Sequence, residues 1–123
     1  MAAVMSSFML EKRPRFKVVP KDQRTLDGVV FASRREMMRY AELKNLQRSG
    51  VIADLELQPA YPVEIAGKHY CTYTADFRYR ETGTGALVIE DIKSSGTTRD
   101  TAYRLRVKAA QLFHGIKVRE VGK

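Results

Sequence analysis

Three carboxylates and a lysine stand where chemistry would use them. Leu87-Val88-Ile89 is apolar on successive residues, which reads as a strand buried on both faces. Glu90-Asp91-Ile92-Lys93 then brings three charges to its end. Side chains alternate across a strand, so Asp91 and Lys93 share a face with Leu87 and Ile89, while Glu90 points the other way with Val88 and Ile92. A structural ion pair at a strand end would account for Asp91 and Lys93. So would an active site.

Asp76 lies within Tyr73-Thr74-Ala75-Asp76-Phe77, a strongly β-prone run in which Asp is disfavoured. Folding the chain back through the Gly83–Gly85 turn sets Asp76 opposite Asp91, because the two are equidistant from the turn centre. Adjacent carboxylates repel unless a proton or a cation stands between them. Mg²⁺ suits two carboxylates, a backbone carbonyl and water. Glu36 shares a helical face with Tyr40, Leu43 and Gln47 and would turn a third carboxylate inward. It is also the fourth residue of the capping box Ser33-Arg34-Arg35-Glu36, a role that would explain it alone.

These residues need positioning elements. Asp27-Gly28 between two apolar runs predicts a type I′ hairpin over 25–31. A helix follows over 33–49, stopped by Gly50. Strands are expected over 55–57, 61–65, 70–79 and 86–93, with Glu81-Thr82-Gly83-Thr84-Gly85 as a turn and Ser94-Ser95-Gly96 as a loop. A second helix is expected from Arg99 to His114, capped by Thr97 or Thr98 and stopped by Gly115. Its apolar stripe would be Ala102, Leu105, Ala109, Leu112 and Phe113. Thr101, Arg104, Lys108 and Gln111 would form its polar face, either plainly solvated or a row of phosphate contacts. Ile116–Val121 is a last strand. The order predicts a mixed α/β domain over 24–123. Residues 1–23, with Lys12, Arg13, Arg15, Lys17 and Lys21 between prolines, read as a solvated terminus or a basic arm.

The chain has 123 residues, room for one domain. A single cysteine excludes an intrachain disulfide, and with two histidines it leaves too few ligands for a Cys/His zinc site. No apolar run reaches the roughly 18 residues of a membrane span, and no cleavage pattern marks a signal peptide. An intracellular protein is expected. The net charge of +8 points to an anionic partner. It is unevenly spread: the balance is +6 over residues 1–50, −3 over 51–96 and +5 over 97–123. Carboxylates repel a phosphate unless a divalent cation reverses the local sign.

Together, Asp27 to Glu36, Leu55-Glu56-Leu57-Gln58-Pro59, Tyr73 to Phe77 and Val88 to Lys93 resemble the PD-(D/E)XK nuclease superfamily. The closer likeness is to a family of small phage and prophage proteins assigned to it. The likeness spans about residues 24–121. Ala75 replaces the proline of the superfamily name, and Ser94 stands where close relatives have glycine.

The resemblance implies a restriction-endonuclease-like core, a central mixed sheet flanked by helices. It implies hydrolysis of DNA phosphodiesters with Mg²⁺ or Mn²⁺, held by Asp76, Asp91 and the Ile92 carbonyl. Lys93 would activate water and stabilise charge, and Glu36 would be the accessory carboxylate. Gln58, Arg34, Arg35, Arg104, Lys108 and Gln111 would contact DNA. With no base-reading motif visible, branched or four-way-junction DNA is the expected substrate, as for a Holliday junction resolvase. The host cytoplasm is the expected place and a homodimer the expected assembly. The alternative is a DNA-binding or phage–host protein-interaction factor without catalysis.

Overall fold

The computed structural model describes residues 19–93 and 101–122. Lys12, Arg13, Arg15 and Lys17, the loop at 94–96, the caps at Thr97 and Thr98 and the helix start at Arg99 lie outside them. A 3₁₀ turn, Lys21–Arg24, leads into strands β1 (Thr25–Leu26) and β2 (Val29–Val30). They pair antiparallel across Asp27 and Gly28, whose φ values of 53° and 78° are those of the expected turn. Helix α1 (Arg34–Arg48) begins at Ser33, whose hydroxyl accepts from the Glu36 amide at 3.1 Å.

Six strands and a helix follow: β3 (Ile52–Leu57), β4 (Ala60–Ile65), β5 (Lys68–Thr74), β6 (Phe77–Glu81), β7 (Leu87–Ile92), α2 (Thr101–His114) and β8 (Val118–Val121). The main sheet has the order β3-β6-β7-β8, while β4 and β5 form a separate two-stranded sheet. Strand β8 runs parallel to β7, with α2 between them in sequence; the other pairings are antiparallel. The architecture is the expected mixed α/β, a sheet with helices against it.

Strand β7 lies inside the sheet, and its alternation feeds two cores. Val88 packs with Phe31, Tyr40, Leu43, Ile52, Phe77 and Tyr79 beneath α1. Ile89 packs with Tyr61, Val63, Tyr73, Ala75 and Ala110 beneath α2.

Two expectations are corrected. The long strand over 70–79 is two strands, divided at Ala75-Asp76. The facing leg divides too, at Gln58-Pro59, where Gln58 adopts a left-handed φ of 51°. Backbone bonds persist through the bend: the Gln58 amide donates to the Asp76 carbonyl at 2.9 Å, and the Ala75 amide to the Pro59 carbonyl at 3.1 Å. One bent hairpin therefore serves both sheets.

The second correction concerns α2. Of its expected apolar stripe, Leu105, Leu112 and Phe113 face outward, at 59%, 78% and 50% exposure, while Ala109 packs against the core. Ala110 is buried instead, with Tyr103 and Val107 packed beside it. Polar anchors set this rotation. The His114 ring lies 2.6 Å from the Pro62 carbonyl and edge-on to Tyr61. The Gln111 side chain accepts from the Val118 amide at 2.9 Å, and the Tyr103 hydroxyl donates to Asp91 at 2.7 Å. None of the described helices is long and apolar enough to cross a membrane.

Candidate active site

The β6–β7 ladder pairs Phe77 with Glu90 and Arg78 with Ile89, a register that continues to Asp76 and Asp91. At this end of the ladder, side chains replace backbone partners. The Asp76 amide donates to the Glu90 carbonyl and to Asp91 Oδ1, each at 3.0 Å. In return the Ile92 amide donates to Asp76 Oδ2 at 2.7 Å. The two aspartates expected to face each other are thus interlocked.

Glu36 joins them from α1. It is 5% exposed, and its carboxyl lies close enough to that of Asp76 for the two to interact. Like charges this close disfavour ionisation of both groups at once. Burial raises Asp76 to about 7, with the Glu36 and Asp91 charges adding and the Ile92 amide opposing. Burial likewise raises Glu36, partly offset by its polar neighbours Asp76 and Ala32. Asp91 is raised by burial and held down by hydroxyls from Tyr103 and Tyr73, both of which donate to its Oδ2. Burial and the Asp91 carboxylate push both tyrosines up in turn.

Lys93 leaves this group for the neighbouring strand, where its Nζ lies 3.1 Å from Glu120. Its carbonyl accepts from Arg35 at 2.7 Å. Arg34 and Arg35, both exposed, line a cavity of about 460 Å³ with Met38, Arg39, Glu42 and Ile92. Arg104, Lys108 and Gln111 line another of about 180 Å³, together with Tyr103, Val107 and Glu120. Gln58 is exposed at the hairpin bend, tied to Asp76 through its backbone. The structure therefore gathers Glu36, Asp76 and Asp91. The arginines of α1 and the cations of α2 occupy two separate rims.

No group of three or more His, Cys, Asp or Glu side chains is arranged to hold a metal ion among the described residues. The donor chemistry nonetheless fits a hard divalent cation. Glu36, Asp76 and Asp91 crowd their charges where a cation would neutralise them, and carboxylate oxygen is the donor that Mg²⁺ and Mn²⁺ prefer.

The tyrosines on Asp91, Glu120 on Lys93 and Arg39 on Glu90 were not foreseen. Each partner comes from another element. Only the outward turn of Glu90 from Asp91 was visible in the alternation.

The class defined here is a mixed α/β domain with a buried carboxylate cluster at one end of its sheet, flanked by basic rims. The chain belongs to the family described as "Protein of unknown function (DUF1064)", which it matches over residues 13–121. No curated protein and no solved structure matches it.

Proposed function

We propose that the protein is a divalent-metal-dependent DNA endonuclease, selective for branched or junction DNA. One observation carries this reading: Asp76 and Asp91 interlock across adjacent strands while Glu36 reaches the Asp76 carboxyl. The resemblance of the four sequence stretches to PD-(D/E)XK nucleases supports it. Asp76 and Asp91 would hold Mg²⁺ or Mn²⁺, with Glu36 accessory to them. When bound, the ion supplies Lewis-acid polarisation of a phosphate and a more acidic water.

The chain's own groups do the rest. Lys93 stabilises negative charge beside the scissile phosphate once it parts from Glu120. Arg104 and Lys108 orient the backbone from the α2 rim, and Arg34 and Arg35 from the α1 rim. Burial raises the proton affinity of Asp76, so metal binding there would be linked to proton release.

The test is cleavage of linear, flapped and four-way-junction DNA with Mg²⁺ or Mn²⁺. Wild type is expected to cut the branched forms. Asp76→Ala, Asp91→Ala and Lys93→Ala should each lose at least about a hundredfold, the scale of a removed charge-stabilising group. Wild-type cleavage by Asp91→Ala would refute the assignment.

A second reading, a DNA-binding or protein-interaction factor without catalysis, has its own observation. Asp91 is already bonded by two hydroxyls and an amide, and Lys93 is paired with Glu120. That reading predicts either intact DNA bound equally well with or without Mg²⁺, or a protein partner held with little salt dependence.

A further inference from the structure

Glu90 is fully buried, and the reading above gives it no task. It lies on the α1 side of β7, opposite Asp91. Arg39 of α1 grips it with two bonds, Nε to Oε1 at 3.0 Å and Nη2 to Oε2 at 2.6 Å. The Tyr79 hydroxyl donates to the same Oε2. Both carboxylate oxygens are satisfied.

Glu90 is buried and Arg39 only partly exposed, and such a pair is a poor source of stability, because the cost of taking its charges from water offsets their attraction. What a two-pronged guanidinium–carboxylate pair does supply is geometry, since both bonds form in only one relative placement. The apolar contacts that seat the middle of α1, through Tyr40 and Leu43, are non-directional and tolerate small slides. Its other directional bonds to the sheet, Arg35 to the Lys93 carbonyl and the Leu55 amide to Gln47, lie towards its two ends.

The placement matters because it closes a ring. The backbone carbonyl of Glu90 accepts from the Asp76 amide. The Asp76 carboxyl lies beside that of Glu36. Glu36 and Arg39 are three residues apart on α1, neighbours on one face about 4.5 Å along its axis. Arg39 returns to the side chain of Glu90. Two contacts thus link α1 to the β6–β7 ladder, besides the exposed bond from Arg35 to the Lys93 carbonyl. One is the carboxyl pair of the site, and the other is the ion pair one turn away.

We propose that Arg39 and Glu90 are positioning residues, whose paired bonds fix α1 against β7 so that Glu36 reaches Asp76. The metal arm of the test rests on the functional reading above; the geometric claim does not.

The experiment uses the full chain as wild type, Glu36→Gln, Glu90→Gln, Glu36→Gln/Glu90→Gln and Arg39→Lys, with folding checked by circular dichroism. Mn²⁺ binding is measured by calorimetry and stability by the urea midpoint. Glu90→Gln should weaken Mn²⁺ binding about 10- to 100-fold, as loss of a group that orients a ligand does. The double variant should bind no worse than Glu36→Gln, because the second change has nothing left to misplace. Arg39→Lys keeps the charge without the fork, so it should match Glu90→Gln; it also serves if Glu90→Gln fails to fold.

Multiplying losses, or wild-type Mn²⁺ affinity in Arg39→Lys, would overturn the proposal. If wild type binds no Mn²⁺, the metal reading falls. The urea midpoint then decides the positioning claim, as it also does if Glu36→Gln binds Mn²⁺ like wild type. Glu36→Gln should move the midpoint in the parent but not in the Glu90→Gln background, nor in the Arg39→Lys background if Glu90→Gln does not fold. Equal shifts in parent and variant background would overturn the claim.

Discussion

Asp76 is where the energetics of the site concentrate. Its folded value of about 7, against 3.8 for the free side chain, means the native chain holds a proton that the unfolded chain releases between those limits. The sign follows. Stability of the metal-free protein is fully supported below about pH 3.8 by this group and is lost as pH rises through 7. The slope approaches about 1.4 kcal/mol per pH unit at its steepest. Asp76→Asn removes the titration while leaving an oxygen for the Ile92 amide. Its unfolding midpoint should therefore vary less between pH 4 and 8 than that of wild type, with the variant relatively more stable at pH 8. Urea melts across this range check it, and parallel profiles would show that burial does not load the site in this way. The presence of both aspartates was legible in the sequence, because Asp is out of place in a β-prone run and the intervening turn is short. Their partners were not. Tyr73 and Tyr103 look like ordinary core aromatics until α2 brings a second hydroxyl to Asp91.

At the scale of elements, local signals were read well and surface orientation was not. Asp27-Gly28, Ser33 and Gly50 define their turn, cap and stop through their own backbone conformations, so neighbouring residues sufficed. The hairpin bend depends on Gln58 in the opposite leg, which no window around Ala75 contains. Helix α2 carries two stripes at helical spacing. The greasier one, Leu105, Leu112 and Phe113, faces out, and the one with Tyr103, Val107 and Ala110 faces in, with His114 anchored at its exposed end. Hydrophobicity alone chooses the wrong one. The observed orientation makes a sharp prediction. Leu112→Ala should change stability by no more than about 0.5 kcal/mol. Ala110→Leu, which overfills a site with no exposure, should cost about 1–3 kcal/mol. Thermal melts of the two variants distinguish this packing from its reverse, in which their order would invert.

For the whole molecule, charge is arranged in three zones. The carboxylates lie at the sheet end, with Arg34 and Arg35 on one rim and Arg104 and Lys108 on the other. If four such cations meet phosphates, DNA affinity should fall with salt at a logarithmic slope of about −4, set by released counterions. Arg104→Ala/Lys108→Ala should flatten that slope by about 2. Anisotropy titrations between 50 and 200 mM salt without metal measure it, and an unchanged slope would remove α2 from the interface. The excess of positive charge was visible from composition. Its division into two rims required the fold, because the helices that carry them pack on opposite faces of β7.

The Ile92 amide has one more consequence. It donates to Asp76 Oδ2 from within the β7 backbone, so its proton points at the group whose charge changes as the site fills. In a ¹H–¹⁵N spectrum that single resonance is a built-in reporter. It should shift with pH as Asp76 ionises and broaden when paramagnetic Mn²⁺ approaches. Occupancy of the site can then be followed with every side chain in place and no substrate added.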